Sequence, residues 1–163
     1  MKASERASLQ NVDLWDANLE NADLRDVNLE NANLWDANLR NADLEGAIME
    51  EADLYHVDLR NTILKGANLR NADLEEANLQ NAELSLTSLS YAKLLNAAME
   101  NVNMENADLV DADLVNVKLT YTKMRGANLQ YAHLEGVDFN HLDFRGIPRE
   151  AIKQFIQDWR ASK

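Results

Sequence analysis

The chain has 163 residues, no cysteine and a formal net charge of −12. This length favours a single domain, and the lack of cysteine excludes disulfides, thiol nucleophiles and cysteine-based metal sites. An acidic chain is poorly suited to direct nucleic-acid binding, because phosphates are held by Lys and Arg. The N-terminus lacks the apolar run of a signal peptide, and no run approaches the roughly 18 apolar residues of a membrane span, so we expect a cytoplasmic protein.

The charge is unevenly spread along the chain. Residues 1–60 have a net charge of −9, residues 61–120 of −5, and residues 121–163 of +2. One interpretation is that the acids keep the protein soluble and prevent end-to-end stacking. The other is an oriented field that steers a basic partner to the N-terminal part.

After a short N-terminal segment, residues 1–6, a five-residue pattern begins at Ala7. A large apolar residue, the centre of each repeat, occurs 28 times from Leu9 to Phe144, and 22 of these are Leu. Ala, Val or Thr stands two places before the centre in 27 of the 28 repeats. Five residues match neither the helical period nor the two-residue period of a strand. The chain must therefore turn once per repeat, with the small and central residues inside a tube.

The turns have a matching composition. The residue two places after the centre is Asn, Gly or Asp in 20 of the 28 repeats. These types tolerate the positive φ that the third residue of a type II turn requires. We expect Leu86, Tyr91, Tyr121 and Tyr131, which occupy the same place, to use a different turn type.

Recurrences at 20 residues give the size of a coil. Trp15, Trp35 and Tyr55 follow one another at this spacing, as do Gly46 and Gly66. Four repeats per coil keep these columns aligned, whereas three would scramble them. The 28 repeats then form about seven coils.

The motif Ala-(Asp/Asn)-Leu-x-x resembles the pentapeptide-repeat family over residues 7–146. The resemblance implies a right-handed quadrilateral β-helix. The predicted fold class is an all-β solenoid of about seven four-sided coils, closed by a C-terminal capping α-helix at 147–163. In that tail, Pro148 suits the first turn of a helix, and four apolar residues share one face: Ile152, Phe155, Ile156 and Trp159. The alternative is that this helix pairs with its copy in a second chain.

Two outward columns stand out. One is an Asn ladder, interpreted as structural, that contains Asn21, Asn41, Asn61, Asn81 and Asn101. The other is the candidate protein-binding column, whose apolar members are Trp15, Trp35, Tyr55, Leu95 and Val115. Exposed apolar residues with polar neighbours mark interaction sites, although stacked rings could equally stabilise adjacent coils.

The sequence offers no catalytic or metal-binding motif. The histidines His56, His133 and His141 are too dispersed to share a metal, and a filled tube has no cleft for an active site. We therefore expect no enzyme, no cofactor and no metal. The first hypothesis is a rigid scaffold that binds a protein partner, with no nucleic acid or membrane binding and with a homodimer left open.

The alternative comes from the resemblance, since some members of the family are acidic DNA mimics that bind DNA gyrase, a type II topoisomerase. The basic tail and the bases Arg25, Lys65, Lys123, Arg125 and Arg145 weaken that alternative. A third reading is a regular solenoid without a specific partner.

Overall fold

The computed structural model describes residues 7–137 together with Arg145 and Lys153. The N-terminal segment 1–6 lies outside the described residues. So do the last repeats, except Arg145, and the predicted capping helix at 147–163, except Lys153. The four apolar residues predicted for that helix, Ile152, Phe155, Ile156 and Trp159, are therefore also outside it.

The β-structure of residues 7–137 consists of single bridge residues, with no longer strands among these residues. They occur at every fifth position from Ser8 to His133 and alternate with two-residue turns, the first at 10–11 and the last at 135–136. Every bridge is parallel and joins residues 20 positions apart, from Ser8 with Asn28 to Asp113 with His133. Twenty residues are four repeats, so each repeat lies directly above the fourth repeat before it. The chain turns too often for a longer strand to form.

Backbone hydrogen bonds explain why the repeat is so regular. In the repeat 52–56, four N–H groups donate to backbone carbonyls at 2.7–3.2 Å, one closing a turn and three reaching adjoining coils. The fifth N–H, of Tyr55, donates to Oδ1 of Asp53 at 3.1 Å. All five backbone donors are therefore satisfied, as partly buried backbone requires.

This last bond gives the residue before the centre a structural role that the sequence analysis did not assign. The N–H of the residue after the centre donates to the side chain two positions earlier, and the bond recurs at Trp15, Trp35, Arg60 and Val115. Asp and Asn are short enough to accept a bond from backbone two positions on. The preference for Asp or Asn at this place is therefore a turn requirement.

The turns are uniform, which corrects one prediction. The third turn residue has positive φ at each repeat from Asn11 to Gly136, between 53° and 73°. The same positive φ, 61° to 62°, is found at Leu86, Tyr91, Tyr121 and Tyr131. The expectation that these residues use a different turn type was therefore wrong. The N–H of Leu86 bonds to the next coil at 3.0 Å, and another turn would break such contacts. The fold accepts a left-handed conformation that costs about 1–2 kcal/mol per residue.

The inside of the tube is filled by the small and central residues. From Val27 to Val137 every residue at these places is buried, which confirms the predicted inward orientation. The buried residues Thr62, Thr87 and Thr122 replace Ala, and each donates its hydroxyl to a core carbonyl at 2.6–2.9 Å. Their hydroxyls are therefore not left unpaired, which would be costly in a core.

The Asn ladder is present in the first half of the tube. The side-chain amide of Asn61 donates to Oδ1 of Asn41 at 3.2 Å, and that of Asn41 donates to Asn21 at 3.3 Å. The ladder prediction is confirmed for these three residues. Hydrogen bonds between these amides link adjacent coils, so the role of the column is structural.

Two Leu→Ala variants test the register with the same chemical change. Leu74 is 0% exposed and Leu86 is 58% exposed. We expect Leu74→Ala to lower the free energy of unfolding by about 2–5 kcal/mol, because it leaves a core cavity. Leu86→Ala should cost less than about 1 kcal/mol. Urea unfolding measures both, and equal losses would contradict the assignment of inside and outside.

A second pair of variants tests the turn bond. Asp53→Ala removes the acceptor for the Tyr55 N–H, and we expect a loss of about 1 kcal/mol in the free energy of unfolding. Asp53→Asn keeps an acceptor oxygen and should be nearly neutral. If thermal and urea unfolding show the same loss for both variants, the negative charge of Asp53, rather than the bond, stabilises the turn.

Candidate protein-interaction site

The aromatic column lies on one stacked set of turns. Trp15 is 59% exposed and Trp35 is 44% exposed, while Tyr55, Leu95 and Val115 are half-buried. Backbone bonds of 2.9–3.1 Å join successive turns of this set. Glu75 separates the aromatic part from Leu95 and Val115. The structure therefore aligns all five predicted residues in one column, as two apolar groups.

Ring packing holds part of this column in place. The rings of Trp35 and Tyr55 meet edge to face, with centroids 5.3 Å apart and planes at 74°. Burial raises the pKa of the Tyr55 hydroxyl, and the neighbouring carboxylate of Glu76 raises it further. The hydroxyl therefore remains a donor. The column therefore combines ring stacking between coils with exposed ring surface.

Carboxylates adjoin the rings on the same side of the tube. Asp13 accepts the side-chain amide of Asn33 at 2.9 Å and the Trp15 N–H at 3.2 Å. The carboxylate of Asp36 contacts His56 Nδ1 at 2.5 Å. These bonds fix acidic groups beside the two Trp residues.

The aromatic column forms one edge of a larger surface, called here the acidic side. It comprises the bridge column from Asp13 to His133, the turn column from 15–16 to 135–136, and the turn column from 10–11 to 130–131. Within residues 7–137 it carries 13 of the 23 acids but only two of the nine bases, Arg70 and Lys93. Its net charge is therefore −11, against −3 for the remaining described surface.

Seven of the nine described bases lie elsewhere, and three of them, Arg25, Arg60 and Lys65, pair with acids there. Arg25 binds both carboxylate oxygens of Asp23, at 2.8 and 2.6 Å. This hydrogen bonding holds the pKa of Asp23 at about 2. Arg60 binds Asp58 in the same way. The charge is therefore uneven around the tube as well as along it.

Sequence reasoning missed two members of the acidic side. Tyr91 and Tyr131 are exposed at the third turn position, 40 residues apart in one column. The guanidinium of Arg70 lies over the Tyr91 ring, 5.8 Å from its centroid. Sorting the turn residues by their place in a 20-residue coil would have found this column, but both tyrosines were treated only as turn exceptions.

An open groove of about 510 Å³ lies on another set of turns. Its lining residues are Arg25, Asp26, Glu45, Gly46, Lys65, Gly66 and Leu86. A Cβ added to Gly66 would meet nothing within 4 Å, so the missing side chain contributes to the opening. Lys65 and Glu45 pair across it at 3.3 Å. Its charges are mixed, and we assign it no ligand.

Among the described residues, no group of three or more His, Asp or Glu is arranged to hold a metal ion. None of the described part is a helix with the length and apolar character needed to cross a membrane.

The family model for pentapeptide repeats matches residues 5–34, 28–66, 67–106 and 107–146, with eight copies. The chain belongs to the pentapeptide-repeat family. Comparison with curated proteins gives no match.

Solved structures similar to the chain are pentapeptide-repeat proteins and imply a right-handed β-helical solenoid. HetL, involved in heterocyst differentiation regulation in the cyanobacterium Nostoc sp. strain PCC 7120, is 28% identical over 86% of this chain and 73% of its own, with a TM-score of 0.54. Rfr23 of Cyanothece 51142 is 34% identical over 64% of this chain and 62% of its own, with a TM-score of 0.39.

A trypsin-treated variant of QnrB1, a plasmid-mediated fluoroquinolone resistance protein, is 18% identical over 94% of this chain and 88% of its own. Its TM-score is 0.50. At this identity the likeness concerns the fold alone.

Single Trp variants separate stacking from exposure. Trp35→Ala removes the edge-to-face partner of Tyr55, and we expect a loss of about 1 kcal/mol in the free energy of unfolding. Trp15→Ala should cost less, because Trp15 is the more exposed ring and belongs to the first coil. Urea unfolding of both variants is the measurement. A larger loss for Trp15→Ala would mean that its ring is the structural one.

Proposed function

We propose that this pentapeptide-repeat protein is a non-catalytic scaffold that binds a protein partner through the aromatic column Trp15, Trp35 and Tyr55. The exposure of two neighbouring Trp rings on one set of turns carries the proposal. Trp and Tyr are enriched among the residues that dominate binding energy at protein interfaces. Leu95 and Val115 extend the contact beyond Glu75.

The rigidity of the column supports this role. The turns that carry the rings are bonded to one another at 2.9–3.1 Å, and the ring of Tyr55 packs against Trp35. Binding therefore orders few new groups. Since ordering of side chains and loops lowers affinity, a preformed column is an efficient contact surface.

One feature of architecture belongs to the same proposal. The four turns in every 20 residues give each coil a four-sided cross-section.

The alternative function is an acidic DNA mimic that binds DNA gyrase or another type II topoisomerase. The net charge of −12 supports it. B-DNA, however, carries phosphates on both strands along its axis, whereas the acids here are concentrated on one side. The remaining described surface has ten acids and seven bases. This one-sided charge favours docking through the acidic side over mimicry of a duplex.

The test is an affinity pull-down from a lysate of the source cells, quantified by mass spectrometry. Wild type is compared with Trp15→Ala/Trp35→Ala, and Tyr121→Ala serves as a matched control because Tyr121 is exposed on a different set of turns. We expect a partner that is retained by wild type and by Tyr121→Ala but reduced about tenfold or more with the double variant. Circular dichroism and thermal unfolding confirm that the variants are folded.

A partner captured equally by all three proteins would contradict the aromatic column as the binding site. If that partner is a type II topoisomerase, and the protein changes its supercoiling activity, the DNA-mimic alternative is favoured instead.

A further inference from the structure

We infer that the acidic side binds an extended, arginine-rich segment of a partner protein, through its carboxylates and its aromatic rings together. The inference rests on the proposed function and adds the chemical class of the partner. Its grounds are the distribution of charge, the positions of the rings and the shape of the surface.

Charge complementarity indicates that the partner segment is positively charged. The acidic side has 13 acids and two bases within residues 7–137, and those bases already have contacts on the same side. Lys93 binds Asp73 at 2.9 Å, and Arg70 lies over Tyr91. The thirteen carboxylates therefore outnumber the two local bases by eleven. The field of such a surface attracts cationic segments and repels phosphates.

The aromatic rings favour arginine over lysine. Five of the six Trp and Tyr residues of the described range lie on the acidic side, namely Trp15, Trp35, Tyr55, Tyr91 and Tyr131. A guanidinium stacks on ring faces and binds carboxylates with a planar fork, whereas an ammonium is a compact, strongly hydrated charge. The contact of Arg70 with Tyr91 is an example of this geometry within the chain itself.

The shape favours an extended segment. Six bridge steps separate Asp13 from His133, which at roughly 4.8 Å per step is roughly 29 Å. An extended chain of about nine residues covers that length at about 3.3 Å per residue. Backbone donors between neighbouring coils are already bonded, so a partner strand cannot add to the middle of the ladder. Recognition there must use side chains.

A second copy of this chain fits the acidic side poorly. Away from the acidic side, the described surface carries ten acids against seven bases, and three of those bases, Arg25, Arg60 and Lys65, pair with acids. That surface offers no excess of positive charge to the acidic side of another molecule. A distinct basic protein is the better occupant.

The experiment uses fluorescein-labelled nona-arginine and nona-lysine, with binding to the full chain followed by fluorescence anisotropy at several salt concentrations. We expect nona-arginine to bind more tightly than nona-lysine, and both to weaken as salt rises. Trp15→Ala/Trp35→Ala should weaken nona-arginine binding about tenfold while leaving the charge unchanged.

Charge variants locate the site. Glu30→Gln/Glu75→Gln removes two carboxylates from the acidic side, and Glu20→Gln/Glu105→Gln removes two from the same repeat position on other turns. We expect the first pair to weaken nona-arginine binding about fivefold and the second to leave it nearly unchanged. Size-exclusion chromatography at the assay concentrations checks that self-association does not differ between variants.

The outcomes separate this inference from the proposed function. The inference would be overturned if both Glu pairs weakened nona-arginine binding equally, or if the two peptides bound with equal affinity. Neither outcome would change what the pull-down with the Trp variants shows about the proposed function. If the Glu30/Glu75 pair weakens binding and the Trp pair does not, the rings take no part in binding arginine and the inference is overturned, while the pull-down alone decides whether the aromatic column binds a partner.

Discussion

The hydrogen bonds between coils are the constraint on which the rest of the structure depends. They hold each residue above the one 20 positions earlier, through parallel bridges that continue from Ser8 to His133. A slip of one residue would break this ladder and turn the buried positions outward at the same time. Because backbone and core impose the same register, each repeat must contain five residues and turn in the same way.

This constraint explains where the chain tolerates unfavourable local chemistry. Leu86 and Tyr131 occupy left-handed backbone at φ of 61°, where Asn or Gly would be less strained. The hydrogen bonds to adjoining coils stabilise the turn by more than the left-handed backbone costs in free energy, so the turn conformation does not change with the residue. The same reasoning explains the preference for Asp and Asn before the centre, since the Asp53 side chain satisfies the one N–H that the ladder leaves over.

The register also converts sequence spacing into surface columns. Trp15 and Trp35 are distant in sequence but occupy neighbouring coils, and Tyr55 completes the group through its contact with Trp35. Since the tube has a filled core and its backbone is bonded internally, what it offers a partner is the side chains of these columns. That is why we argue function from the chemistry of one side of the tube, where rings and carboxylates are concentrated together.

The sequence by itself determined the five-residue period, the inward positions and the 20-residue columns, because a strict repeat leaves few ways to bury Ala and Leu. It also identified Trp15, Trp35 and Tyr55 as outward residues of one column. Only the tertiary structure decided that Leu86 and the three turn tyrosines share the common turn, since local propensity points elsewhere and the inter-coil bonds override it. It also established that the coils stack in register, which makes neighbours of charges far apart in the chain and places Tyr91 and Tyr131 among the carboxylates of the acidic side.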